Sequence, residues 1–152
     1  MTNPIEIIKR DHRRVESLFK EYEDLGEYAF ESKALVVENI IRELRLHDEM
    51  EEMLFYPRAE ESLNKEGIKM VEEAYVEHSV AKRLLEELSV THPEDPQFDA
   101  RVKVLNENIA HHIMEEEQEL LPRIEKELKD EELNEIGEEM KAFKLENTGN
   151  EE

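Results

Sequence analysis

Residues 47–57 read HDEMEEMLFYP, and residues 112–122 read HIMEEEQELLP. Each stretch places glutamates four and five residues after a histidine and a proline ten residues after it. Residues at i and i+4 share one helical face, so His47 pairs with Glu51 and His112 pairs with Glu116. The second glutamates, Glu52 and Glu117, are rotated by about 100° and are expected on the helix flank or in solvent. Pro57 and Pro122 are expected to bend or stop their helices, because proline removes one helical hydrogen bond and clashes with the preceding turn. Upstream, the apolar period continues. Val37, Ile40 and Leu44 lead into His47, and Val102, Leu105 and Ile109 lead into His112. Each stretch is therefore the later part of an amphipathic helix.

Two more helices of this kind complete the pattern. Asn3, Pro4 and Glu6 form a helix start, with Asn as N-cap and Pro at the first helical position. From there Ile5, Ile8, His12, Val15, Phe19 and Tyr22 trace one face until Gly26. After Asn64 and Gly67, another stripe runs through Val71, Ala74, His78, Ala81, Leu85 and Leu88. The segment from Thr91 to Pro96 is a loop by composition. Leu133, Ile136, Met140 and Phe143 mark a short amphipathic helix near the C-terminus. The expected fold is all-α: an up-down-up-down four-helix bundle over residues 1–128, a short fifth helix over 129–145, and a flexible acidic tail at 146–152.

Composition narrows the function. The 152 residues hold 41 acidic against 20 basic side chains, a net charge of −21. Such a surface repels phosphate backbones and anionic membranes, so neither nucleic acid nor membrane is an expected partner. The chain has no cysteine. Disulfides, thiolate metal sites, Fe–S clusters and cysteine nucleophiles are excluded. The N-terminal stretch carries no apolar segment of signal-peptide type, and a cytoplasmic protein is expected.

Stripes that face a core should be apolar, yet each of the four carries one histidine: His12, His47, His78 and His112. Two add a carboxylate one turn later, Glu51 and Glu116. Buried imidazoles and carboxylates are costly unless paired or coordinated. In an up-down bundle the second and fourth helices are diagonal partners, so the two His–Glu pairs face each other across the core. A metal centre accounts for all six residues at once. Nitrogen and oxygen donors without sulfur suit iron or manganese and would accept zinc.

The ordered set Asp11-His12, His47-x3-Glu51-Glu52, Glu77-His78 and His112-x3-Glu116-Glu117 resembles the hemerythrin-like proteins of the HHE cation-binding family over about residues 1–128. The resemblance implies two non-haem iron ions, Fe2+ or Fe3+, joined by oxo or hydroxo bridges and by Glu51 and Glu116. It also implies dioxygen or nitric oxide as small ligand, in a sensor, store or scavenger. The oxygen-carrying members have a second histidine one turn from the third-helix ligand. Here those positions are Ala74 and Lys82, which resembles the four-histidine, two-glutamate members, including the iron–sulfur repair group.

The expected function is metal and gas binding rather than dedicated catalysis. The alternative is a di-iron redox enzyme or iron donor, turning over peroxide or nitric oxide or repairing iron–sulfur clusters. A ferritin-like oxidase would need Glu-x-x-His pairs. The residues three before each histidine are Lys9, Leu44, Tyr75, Ser89, Asn108 and Ile109, none of them glutamate. His111 is expected on the helix flank and His92 in solvent; Tyr22, Tyr56, Tyr75, Phe19 and Phe55 could line the site, but aromatics at helical spacing are core by default.

Overall fold

The computed structural model describes residues 2–148. Four long helices form the bundle: α1 (Pro4–Glu23), α2 (Phe30–Met50), α4 (Lys65–Ser89) and α5 (Gln97–Glu115). Short α3 (Tyr56–Ser62) and α6 (Leu121–Glu127) prolong α2 and α5, and α7 (Asp130–Thr148) packs on the outside. The helix starts follow local chemistry. Asn3 accepts from the Ile5 amide at 2.9 Å, and Pro4 occupies the first turn of α1. Asn64 accepts from the Gly67 amide at 2.9 Å. Gly67 therefore lies inside the first turn of α4 rather than ahead of it.

The two prolines do not stop their helices. Between α2 and α3, and again between α5 and α6, the chain widens into one π-helical turn, Glu51–Phe55 and Glu116–Leu120. The Tyr56 amide donates to the Glu51 carbonyl and the Leu121 amide to the Glu116 carbonyl, each five residues back. The wider turn carries the backbone past a residue that lacks an N–H and whose ring would crowd the carbonyl four residues earlier. Proline then enters the first turn of the next helical segment, where its missing donor is not needed.

Two apolar clusters fill the interior, one at each end. Val15, Phe19, Ile40, Leu44, Leu85 and Leu105 belong to one. Ile8, Met50, Phe55, Ala74, Leu121, Ile136 and Met140 belong to the other. Along α1, His12 falls between Ile8 of one cluster and Val15 of the other. Along α2, His47 falls between Leu44 and Met50. The polar layer is thus sealed above and below by hydrocarbon.

The fifth helix is longer than expected, with 19 residues. It buries Leu133, Ile136, Gly137 and Met140. It lies close to α1 and the first π turn. A Cβ at Gly137 would sit 2.5 Å from the Thr2 carbonyl oxygen, so only glycine permits this approach. The Thr2 amide donates to Asn134 at 2.9 Å, and Arg58 on α3 reaches Glu135 and Glu139 at 2.9 and 2.8 Å. Of the expected tail, residues 146–148 continue α7, and residues 149–152 lie outside the described residues.

Candidate metal centre

The six residues singled out by the stripes converge at mid-bundle, all buried: His12, His47, Glu51, His78, His112 and Glu116. Their imidazoles form two pairs, His12 with His47 at 5.1 Å and His78 with His112 at 5.0 Å between ring centroids. The carboxylates lie between the pairs. Glu51 Oε1 is 3.3 Å from His47 Nε2 and 3.1 Å from His78 Nε2. Glu116 is 3.0 Å from His12 Nε2 and 3.7 Å from His112 Nε2. Each carboxylate therefore touches one imidazole of each pair. Donor atoms within 4.8 Å of one another form two groups, one of His12, His47, Glu51 and Glu116, the other of Glu51, His78 and His112.

Every one of these imidazoles is held at its other nitrogen by a carboxylate from a neighbouring helix. Asp11 on α1 holds His47 Nδ1 at 2.8 Å. Glu52, in the first π turn, holds His78 Nδ1 at 2.7 Å. Glu77 on α4 holds His112 Nδ1 at 2.6 Å, and Glu117, in the second π turn, holds His12 Nδ1 at 2.6 Å. The chain of supports runs once round the bundle and closes. Glu52 is exposed and Glu117 half-buried, as expected of flank positions, yet each carboxylate reaches the imidazole of the neighbouring helix. Carboxylate support at Nδ1 fixes the tautomer that leaves Nε2 free to coordinate and raises its basicity.

The fit to a cation rests on the atoms left over. His12, His47 and His112 Nε2, together with Glu51 Oε2 and Glu116 Oε1, are buried without a hydrogen-bond partner. Buried polar atoms are otherwise nearly always paired. Here they are clustered and share the nitrogen-and-oxygen chemistry of a transition-metal site. The residues fit the group.

Charges within the centre lean on one another. Burial opposes ionisation of His47, yet the Glu51 and Asp11 carboxylates outweigh it and hold its pKa well above the histidine norm. Burial likewise opposes His78, which Glu51 and Asp48 push up to about 10. Burial works against the Glu51 carboxylate too, but His47 and His78 hold it well below the usual range.

Three further residues reach the centre. Tyr56, fully buried, donates to Glu116 Oε2 at 2.5 Å, lies 3.1 Å from Glu51 Oε1 and 3.4 Å from His78 Nε2. It is a core aromatic whose hydroxyl also lines the site. Asp48 Oδ1 stands 3.5 Å from His78 Nε2, and burial pushes its pKa up to about 6. Lys144 on α7 is buried and forms an ion pair with Asp11. The sequence signal for the supporting carboxylates was their adjacency to the histidines in Asp11-His12 and Glu77-His78. It does not say that each supports the histidine of the next helix. His111 is exposed and lies off the centre, as its register predicts, and His92 is exposed in its loop.

Comparison with known proteins agrees with this geometry. Residues 3–124 match the family model described as Hemerythrin HHE cation binding domain. A hemerythrin-like protein of Schizosaccharomyces pombe is 30% identical over 132 residues, covering 87% of this chain and 64% of that protein. A DNA nickase of Nostoc sp. is 32% identical over 139 residues, covering 91% of this chain and 38% of that protein. The chain thus spans less than two thirds of the length of both curated relatives. The crystal structure of a hemerythrin HHE cation binding domain-containing protein from Mycobacterium kansasii shares the fold, with a TM-score of 0.80 at 24% identity, covering 98% of this chain and 95% of that one. With four histidines and two glutamates converging in a four-helix bundle, and most of its length matched by the family model, the chain belongs to the hemerythrin HHE cation-binding family.

Proposed function

We propose that His12, His47, His78, His112, Glu51 and Glu116 hold two iron ions, and that the centre binds dioxygen or nitric oxide as a sensor, store or scavenger. The observation that carries this reading is the placement of Glu51 and Glu116, each within reach of one imidazole from both pairs. Two carboxylates so placed would be available to two ions in common. Two irons supply redox chemistry and open coordination for a small ligand.

The protein's own residues set the access and the surroundings. Beside the imidazoles lies a cavity of about 10 Å³, whose walls include Val15, Leu44, Ala81, Ile109 and Ile113. That is room for about one water-sized ligand. So small a space suits a diatomic gas over a larger organic substrate. The carboxylate–imidazole supports hold the four rings in place. Tyr56 brings a hydroxyl to the side of the centre where His78 stands.

A second reading is redox turnover of peroxide or nitric oxide, favoured by the buried Tyr56 hydroxyl as a proton donor within the centre. Rapid mixing with oxygen, nitric oxide and peroxide separates the two: a stable adduct supports binding, and repeated turnover supports catalysis. The test of the centre itself is metal content. The purified protein should carry about two irons per chain. His47→Ala, His112→Ala, Glu51→Ala and Glu116→Ala should each lose most of the metal, whereas His111→Ala and His92→Ala should keep it. Loss of iron in His111→Ala with retention in His112→Ala would overturn the site.

A further inference from the structure

A second group of possible ligands lies on the surface just outside the centre. One donor atom each from Glu77, His111 and Glu115 lie within 4.8 Å of one another. His111 Nε2 is 3.3 Å from Glu115 Oε1. His111 is exposed, and Glu77 and Glu115 are half-buried. Glu77 faces both ways, because its Oε1 also accepts from His112 Nδ1 at 2.6 Å.

Glu77 and Glu115 also line a narrow passage of about 30 Å³ between α4 and the second π turn. Its inner end is made by His112 and Glu116, only 8% and 2% exposed. The unpartnered atoms of these two residues lie on the far side, within the centre: His112 Nε2 groups with Glu51 and His78, and Glu116 Oε1 stands 3.0 Å from His12 Nε2. Ala74 forms part of the wall, and its single methyl leaves the passage open. The rim adds Glu73 and Glu119, so negative charge is concentrated along the whole route.

We propose that Glu77, His111 and Glu115 form an outer site for a divalent transition-metal ion of the Fe(II) class, from which the ion passes inward to His112 and Glu116. This rests on the reading that the inner residues hold metal. One imidazole and two carboxylates suit such an ion without selecting a soft one. At the surface the ion keeps much of its water, so it binds weakly and leaves quickly. Acidic walls concentrate cations at the mouth and speed their arrival. The residues at the inner end offer more donors in a dry setting, which drives the ion onward.

The test uses Co(II) as probe and the full chain freed of metal. Equilibrium dialysis should count one more weakly bound Co(II) per chain in the wild type than in the double variant His111→Ala, Glu115→Gln. Growth of the visible Co(II) absorption follows filling of the inner set. The double variant should fill about tenfold more slowly and reach the same final absorbance, the size expected when local charge focusing is lost. Glu38→Gln, which removes one exposed negative charge elsewhere, should fill at the wild-type rate. An unchanged Co(II) count in the double variant overturns the outer site. A missing outer ion with unchanged filling rate, or equal slowing by Glu38→Gln, overturns the route. The outer ion is counted as a difference between two chains, so it is read even if the inner set holds no metal. Failure of the outer site is thereby distinguished from failure of the di-iron centre.

Discussion

Lys144, near the end of the last helix, forms a buried ion pair with Asp11 on the first, and the other oxygen of Asp11 holds His47 Nδ1 at 2.8 Å. The outer helix is thereby tied to the centre through a single carboxylate. Both partners are only 6% exposed, so removing one leaves a charge with neither water nor a full partner. Lys144→Met should destabilise the protein by about 3 kcal/mol, the cost typical of breaking a buried pair. Lys144→Arg should recover part of that loss. Urea denaturation of the metal-loaded protein measures both, and an unchanged midpoint for Lys144→Met would remove the pair from the account.

The ring of supporting carboxylates should tune metal affinity without contributing donors to the ions. Glu117→Gln keeps the size of the side chain but weakens the bond to His12 Nδ1, now 2.6 Å. Affinity should fall by about 10- to 100-fold, the usual effect of losing such a support. Competition against a chelator reads it directly. Glu125→Gln, an exposed change nearby, should have no effect.

Metal removal should invert the response to pH. In the metal-free protein His78 is raised from 6.5 to about 10, and His47 and His112 are raised too. Their stabilisation is complete below 6.5 and is lost as pH climbs through the folded values. Glu51 is lowered from 4.5, so its contribution is complete above 4.5 and is lost as pH falls through its folded value. Metal-free protein should therefore be most stable near pH 4.5–6.5 and weaken toward pH 10. With metal bound, the ions replace the protons and binding strengthens as pH rises through the histidine range. Denaturation at a series of pH values, with and without metal, should give opposite slopes between pH 6.5 and 8.

Tyr56→Phe deletes one hydroxyl and keeps the ring. Metal stoichiometry should stay at the wild-type value, because the six inner donors remain. The metal-free form should lose about 1 kcal/mol with the hydrogen bonds to Glu116 and Glu51. The adduct with nitric oxide should show a shifted visible spectrum and a changed dissociation rate. Identical spectra and rates would mean that the hydroxyl supports the carboxylates alone.

Much of this could be read along the chain. Helical periodicity is a local property, so His12, His47, His78 and His112 could be placed on buried stripes from their spacing to Ile8, Leu44, Ala74 and Ile109. The repeat ending in Pro57 and Pro122 located Glu51 and Glu116 for the same reason: both residues of each pair lie on one helix. What tertiary structure decided were relationships between helices. Glu117 and His12 are 105 residues apart, and no spacing rule connects them. Their contact depends on how two helices are rotated about their axes. Tyr56 joined the centre for the same reason, carried inward by a turn wider than 3.6 residues. Lys144 was equally hidden, because a lysine on an amphipathic helix reads as solvated until a buried aspartate on another helix is placed against it.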